Sequence, residues 1–178
     1  MKRTGYFISY IIMLFLQICI CNFFRLSPYV VLSILPVMIL LIPTGKDTTF
    51  ALIVAFLTGL SVDLLGDGLL GLNILALVPV AFARKGIIRL VFGEEIFTRK
   101  ENITVNKQGF WKISVALIMA QSLFLAIYVW ADGAGTRPLW FSFVRFGASL
   151  LAGFLISLFV ADILTRENSR IPDNRLWK

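Results

Sequence analysis

Apolar runs of membrane-spanning length alternate with short polar links along this chain, and the pattern predicts an all-α integral membrane protein of six transmembrane helices in a single domain, residues 1–178. The runs fall at about residues 5–24, 28–42, 48–65, 69–83, 113–131 and 140–161. A hydrocarbon core of about 30 Å needs about 20 apolar helical residues. The first run has that length. It ends in Cys-Ile-Cys-Asn-Phe-Phe, bulky where signal-peptide cleavage needs small residues, so an uncleaved helix is expected. The second run opens with Pro28, at home in a first helical turn. Pro36 lies within it and predicts a bent span packed inside the bundle. Pro79 predicts a kink in the fourth run. Residues 84–112 read as a polar, basic interval, with Ile87 to Phe92 as an amphipathic segment in the membrane interface.

Six spans place both termini on one side. Of the 17 Lys and Arg residues, only Arg25, Arg137 and Arg145 then fall on the other side. The positive-inside rule puts both termini, and the 84–112 interval, in the cytoplasm. Trp130 and Trp140 bracket one outer loop, as an aromatic belt would.

Composition agrees with this reading. Of the 178 residues, 58% are hydrophobic and 15% charged, against about a quarter charged in soluble domains. The mean hydropathy is +0.87. The net charge of +7 is read as an orientation device facing anionic lipid, not as a nucleic-acid surface. The chain has no histidine, which excludes Ser-His-Asp and Cys-His catalysis and a His-ligated metal. Cys19 and Cys21 form no disulfide framework. Gln17, the one buried polar side chain expected of the first run, reads as an interhelical hydrogen-bonding group, and Gln121 lies in the middle of the fifth run. No phosphate loop or paired-carboxylate site is present, so neither an enzyme nor a cofactor is expected.

The most informative stretch is Ala51 to Phe82, a membrane hairpin. Its first helix carries Ala51, Ala55, Gly59 and Asp63 at intervals of four, on one face. Small residues let another helix approach closely in lipid. Gly66, Asp67 and Gly68 form the turn, with Asp67 read as a solvated turn acid. The sixth span carries a second stripe: Arg145, Ser149, Gly153, Ser157 and Ala161. Spans three and six are antiparallel in the six-span topology. Face to face, their stripes would interlock and Asp63 would meet Arg145. In the other reading Asp63 caps the loop at Gly66 to Gly68 and Arg145 snorkels to the headgroups.

The segment FLTGLSVDLLGDGLLGLNILALVPVAF resembles the signature of the MreD family of bacterial rod shape-determining membrane proteins. There a helix carrying Gly-x-x-x-Asp is followed by a short turn, a Gly and a further apolar helix. The matching positions are Gly59, Asp63 and Gly71. The resemblance implies a bacterial inner-membrane component of the cell-wall elongation machinery. It implies work with MreC, and through it with the MreB filament, RodA and a class B penicillin-binding protein. The implied role is non-catalytic scaffolding and regulation. The family also looks like the substrate-binding subunits of energy-coupling-factor transporters, which implies a six-helix bundle with an outward-facing cavity. The alternative is therefore a small-solute-binding subunit of a transporter. Few polar groups, chiefly Asp63, Asp67, Asn73 and Trp140, are placed to line such a cavity, which favours the scaffold.

Overall fold

The computed structural model describes residues 2–23, 30–67, 70–96, 108–133 and 138–169. Among these the main elements are six α-helices: α1 (Lys2–Phe23), α2 (Leu35–Leu40), α3 (Thr48–Val62), α4 (Leu72–Phe92), α5 (Phe110–Gly133) and α6 (Leu139–Ser169). A one-turn π-helix, Asp63–Asp67, continues α3. Three stretches are long and apolar enough to cross a membrane: Thr48–Gly66, Phe110–Gly133 and Trp140–Leu164. Phe7–Phe23 is a shorter apolar helix. Large apolar side chains such as Phe7, Phe15, Phe56, Leu151 and Phe159 cover the outside. That surface suits lipid, where helices pack by close fit and hydrogen bonding rather than by escape from water.

The second span differs most from expectation. Only six residues of it are helical, about 9 Å of helix and too short to cross alone. Pro36 begins this helix instead of bending it. A proline in the first turn loses no hydrogen bond, whereas one deep in a helix does. Residues 31–34 are non-helical, and Pro28 lies outside the described residues. Every residue from Ser33 to Ile42 is buried. The short helix touches all five others and forms the hub of the core.

The fourth span also differs. It runs to Phe92, well past the expected end near residue 83. Asn73, Ala76, Leu77, Val80, Ala81, Arg84, Ile87 and Ile88 are all buried, a helical repeat that continues across the first charges. Arg84 is thus an interior residue, and Pro79 lies within the helix. Residues 97–107 of the expected basic interval lie outside the described residues.

The α3 stripe faces inward as expected: Ala51, Ala55, Thr58, Gly59 and Val62 are buried. Its neighbour is α4, not the sixth helix. A Cβ on Gly59 would stand 2.9 Å from the Ile74 Cα and 3.2 Å from the Asn73 carbonyl carbon. The sixth helix turns its own small residues elsewhere. The side-chain amide of Gln121 in α5 fills the space beside Gly153. Ser149 accepts a hydrogen bond from the Val31 N–H at 2.8 Å. The interlocking of the two stripes is therefore replaced by two separate packings, α3 on α4 and α6 on α5 with the hub segment.

Gly59→Ala should accordingly destabilise the bundle by about 2 kcal/mol, because backbone must move to admit the methyl. Gly147→Ala, with nothing within 4 Å of the added atom, should be neutral or slightly stabilising. Thermal midpoints in one detergent check the pair, and equal midpoints would contradict the close α3–α4 crossing.

Candidate functional site

The hairpin junction is built around Asp63, which is 0% exposed. Helix α4 starts at Gly71, whose φ of 96° lies in the left-handed region. That conformation is open to glycine at little cost. It also leaves the helix start without a side-chain cap of its own. The first N–H groups of any helix lack intrahelical partners, and Asp63 supplies the acceptor from the preceding helix. Its Oδ2 accepts the N–H of Gly71 at 2.9 Å and of Ile74 at 3.3 Å. Its Oδ1 accepts the Asn73 N–H at 2.9 Å and the Asn73 Nδ2 at 3.0 Å. A carboxylate so placed also meets the positive end of the helix dipole. The charge that bare membrane would penalise is thereby solvated by the protein.

Asp63 is also the first residue of the π turn. Widening the helix there shifts its backbone pairing. Helix α1 accommodates the change: Asn22 Nδ2 donates to the Leu65 carbonyl at 2.8 Å and to Ile18 at 3.0 Å. A Cβ on Gly66 would stand 3.0 Å from Cys21 Cβ. Gly66 thus admits the end of α1 against the turn. Elsewhere on the same pair of helices, the Tyr10 and Thr58 hydroxyls are 2.9 Å apart. The expectation for the Asp67 side chain and Gly68 lies outside the described residues.

Arg145 does not meet Asp63. It pairs with Asp132, at the end of α5, and both side chains are largely buried. The pair closes the α5–α6 connection. Asp63 needs no cation, because four N–H donors already surround it. Its cap is on the start of α4.

A second polar layer holds the non-helical segment before α2. Irregular backbone is tolerated at membrane depth only where protein or a water-filled cavity satisfies it. Gln17 accepts the Ile34 N–H at 2.8 Å and donates to the Leu32 carbonyl at 3.2 Å. Gln121 donates to the Ser33 carbonyl at 3.2 Å, and Ser149 takes Val31. At the other end Arg84, 1% exposed, donates its Nε to the Leu40 carbonyl at 3.1 Å and its Nη2 to Ile42. The Leu40 carbonyl belongs to the last residue of α2, where a cation is favoured, and the Ile42 carbonyl lies two residues beyond the helix end.

Gln17 is legible in the sequence as an interhelical group, and Gln121 only as a polar residue in the middle of an apolar run. Arg84, Asn22 and Asp132 are not legible. The signal for Arg84 is the apolar repeat that persists on either side of it; Asn22 and Asp132 have none beyond their place at a helix end.

Taken together, the fold defines an α-helical membrane protein whose hairpin and hub are fixed by buried polar side chains. No family model, curated protein or solved structure matches the chain.

Proposed function

We propose that this protein is a non-catalytic scaffold of the bacterial cell-wall elongation machinery, of the MreD type, with MreC as its principal partner. RodA, a class B penicillin-binding protein and the MreB filament belong to the same assembly in this reading. The observation that carries it is the convergence of Gly59, Asp63 and Gly71. These motif positions meet at one junction, where Gly59 admits the α4 backbone, Gly71 turns the chain and Asp63 caps the new helix. A sequence signature whose members serve one local structure is more specific than scattered identities.

In this reading the chain crosses the inner membrane six times with both termini cytoplasmic. The second crossing is the partly unwound segment with α2. Its geometry suits a return pass. The ends of α1 and α3 lie together through Asn22 and Leu65, while Ile42 ends beside Arg84, about 18 Å along α4 from the Asp63 junction.

The transporter alternative draws on that same broken segment. Discontinuous helices at mid-membrane often build solute sites, and here, among the described residues, Gln121 Oε1 and Ser157 Oγ are buried without a hydrogen-bond partner. Affinity purification of the tagged chain from bacterial membranes in mild detergent, with mass spectrometry, separates the two. Recovery of MreC with cell-wall synthases is the expected result. Recovery of an ATPase with a transmembrane coupling subunit would overturn the scaffold in favour of the solute binder.

A further inference from the structure

The cytoplasm-proximal half of α4 carries a surface that neither the hairpin nor the hub uses. Its inward positions, Arg84, Ile87 and Ile88, are buried. On the opposite face Phe82, Lys85, Gly86, Arg89 and Leu90 are exposed, in two rows, Phe82, Lys85 and Arg89 and Phe82, Gly86 and Leu90, spaced by three or four. Phe82 is 72% and Leu90 78% exposed. Two large apolar side chains thus flank two cations on one helix face. Water would suit Lys85 and Arg89 but not Phe82 and Leu90. Hydrocarbon would suit the reverse. The headgroup layer of a bilayer suits both, because long cationic side chains reach phosphate while apolar ones enter the acyl region.

Gly86 gives this face a shape. It lies within the helix, where glycine is disfavoured by about 1 kcal/mol against alanine. Nothing lies within 4 Å of where its Cβ would be. The helix surface is therefore open between Lys85 and Arg89. An acid meets this face at Glu94, whose Oε1 lies 3.0 Å from Arg89 Nε with both side chains well exposed. Exposed pairs of this kind are weak, and the planar guanidinium has further donors for a phosphate.

We propose that this face of α4 is a binding site for an anionic diacyl phospholipid. The phosphate sits beside the Gly86 notch within reach of Lys85 and Arg89, and the acyl chains run along the helix past Phe82. The site does not depend on the cellular role proposed above. It requires only that α4 lies in a bilayer.

Native mass spectrometry of the full chain in detergent tests it, with phosphatidylglycerol and phosphatidylcholine of matched acyl chains as probes. The wild type should retain phosphatidylglycerol in preference to phosphatidylcholine. The double substitution K85Q/R89Q should weaken phosphatidylglycerol binding by about 25-fold, since each cation beside an anionic headgroup accounts for a factor of about five. Gly86→Leu keeps every charge and fills the notch, and it should weaken the same binding while leaving the folded fraction unchanged. Equal retention of both lipids by the wild type, or full phosphatidylglycerol binding by the double variant, would overturn the site. Full binding by Gly86→Leu would overturn it as a shaped site, leaving only diffuse charge attraction.

Discussion

Asp63→Leu should cost the bundle about 3 kcal/mol or more, enough to remove most of the folded protein from a marginally stable membrane chain. The substitution takes the acceptor from three backbone N–H groups at the start of α4 and from the Asn73 side chain. Asp63 and Asn73 are buried, so water does not replace the bonds between them. Buried donors left unpaired cost about 1–3 kcal/mol each, and relaxation recovers only part of that. Asp63→Asn is the informative companion. Its one carbonyl oxygen still accepts, but its amide faces N–H donors and it carries no charge for the helix dipole. It should fall between the wild type and Asp63→Leu. Heating in one mild detergent, followed by size-exclusion of the surviving protein, gives the order. A wild-type midpoint for Asp63→Leu would mean that the cap does not hold the hairpin. If Asp63→Asn instead folds like the wild type but recovers no partner, the charge itself would be a partner determinant, and capping would be only part of its role.

Periodicity alone places the long helices and the inward face of α3. The stripe Ala51, Ala55, Gly59 does face the interior, and Phe110–Gly133 and Leu139–Ser169 contain the expected spans 113–131 and 140–161, while α4 and α6 run on past their expected ends. Periodicity names a face, however, and not the neighbour that covers it. Gly59 could have met Gly153 or Ile74 on the same pattern, and the short α3–α4 turn decided for Ile74 by placing α4 beside α3. Asp63 and Arg145 invited pairing because both sat at the outer ends of small-residue stripes. Each had a nearer partner: the start of the next helix for Asp63, and Asp132 across the α5–α6 connection for Arg145. In both cases the partner nearer along the chain won, since a nearby group needs less ordering of chain to meet its partner.

Proline and arginine misled for a related reason. Pro36 in an unbroken apolar run is compatible with a kink or a start, and only the side-chain partners of residues 31–34 distinguish the two. Those partners, Gln17, Gln121 and Ser149, come from three different helices. Each polar residue looked isolated in its own run because its partner was the backbone of another. In lipid that is the expected arrangement for a broken segment.

Arg84 carries the second large effect. Arg84→Leu should destabilise the protein by about 3–5 kcal/mol, comparable to breaking a buried charged interaction from one side. The helix α2 is six residues long, far below the length at which a helix holds itself. Its position therefore rests on what surrounds it. Arg84 holds its C-terminal end through the carbonyls of Leu40, its last residue, and of Ile42, two residues beyond, and the leucine variant would leave those carbonyls buried without that donor. Because α2 packs against every other helix, loosening its end should spread through the bundle instead of fraying one element. Arg84→Lys tests the geometry of the grip. A lysine keeps the charge but offers one ammonium in place of a rigid fork, so it cannot hold two carbonyls in the same way and should recover only part of the stability. Cysteine accessibility at Leu41, buried in the wild type, reads the hub directly once the free Cys19 and Cys21 are replaced by serine: Leu41→Cys should resist a membrane-permeant maleimide alone and react when combined with Arg84→Leu. Equal protection in both backgrounds would show that α2 is held by apolar packing without the arginine.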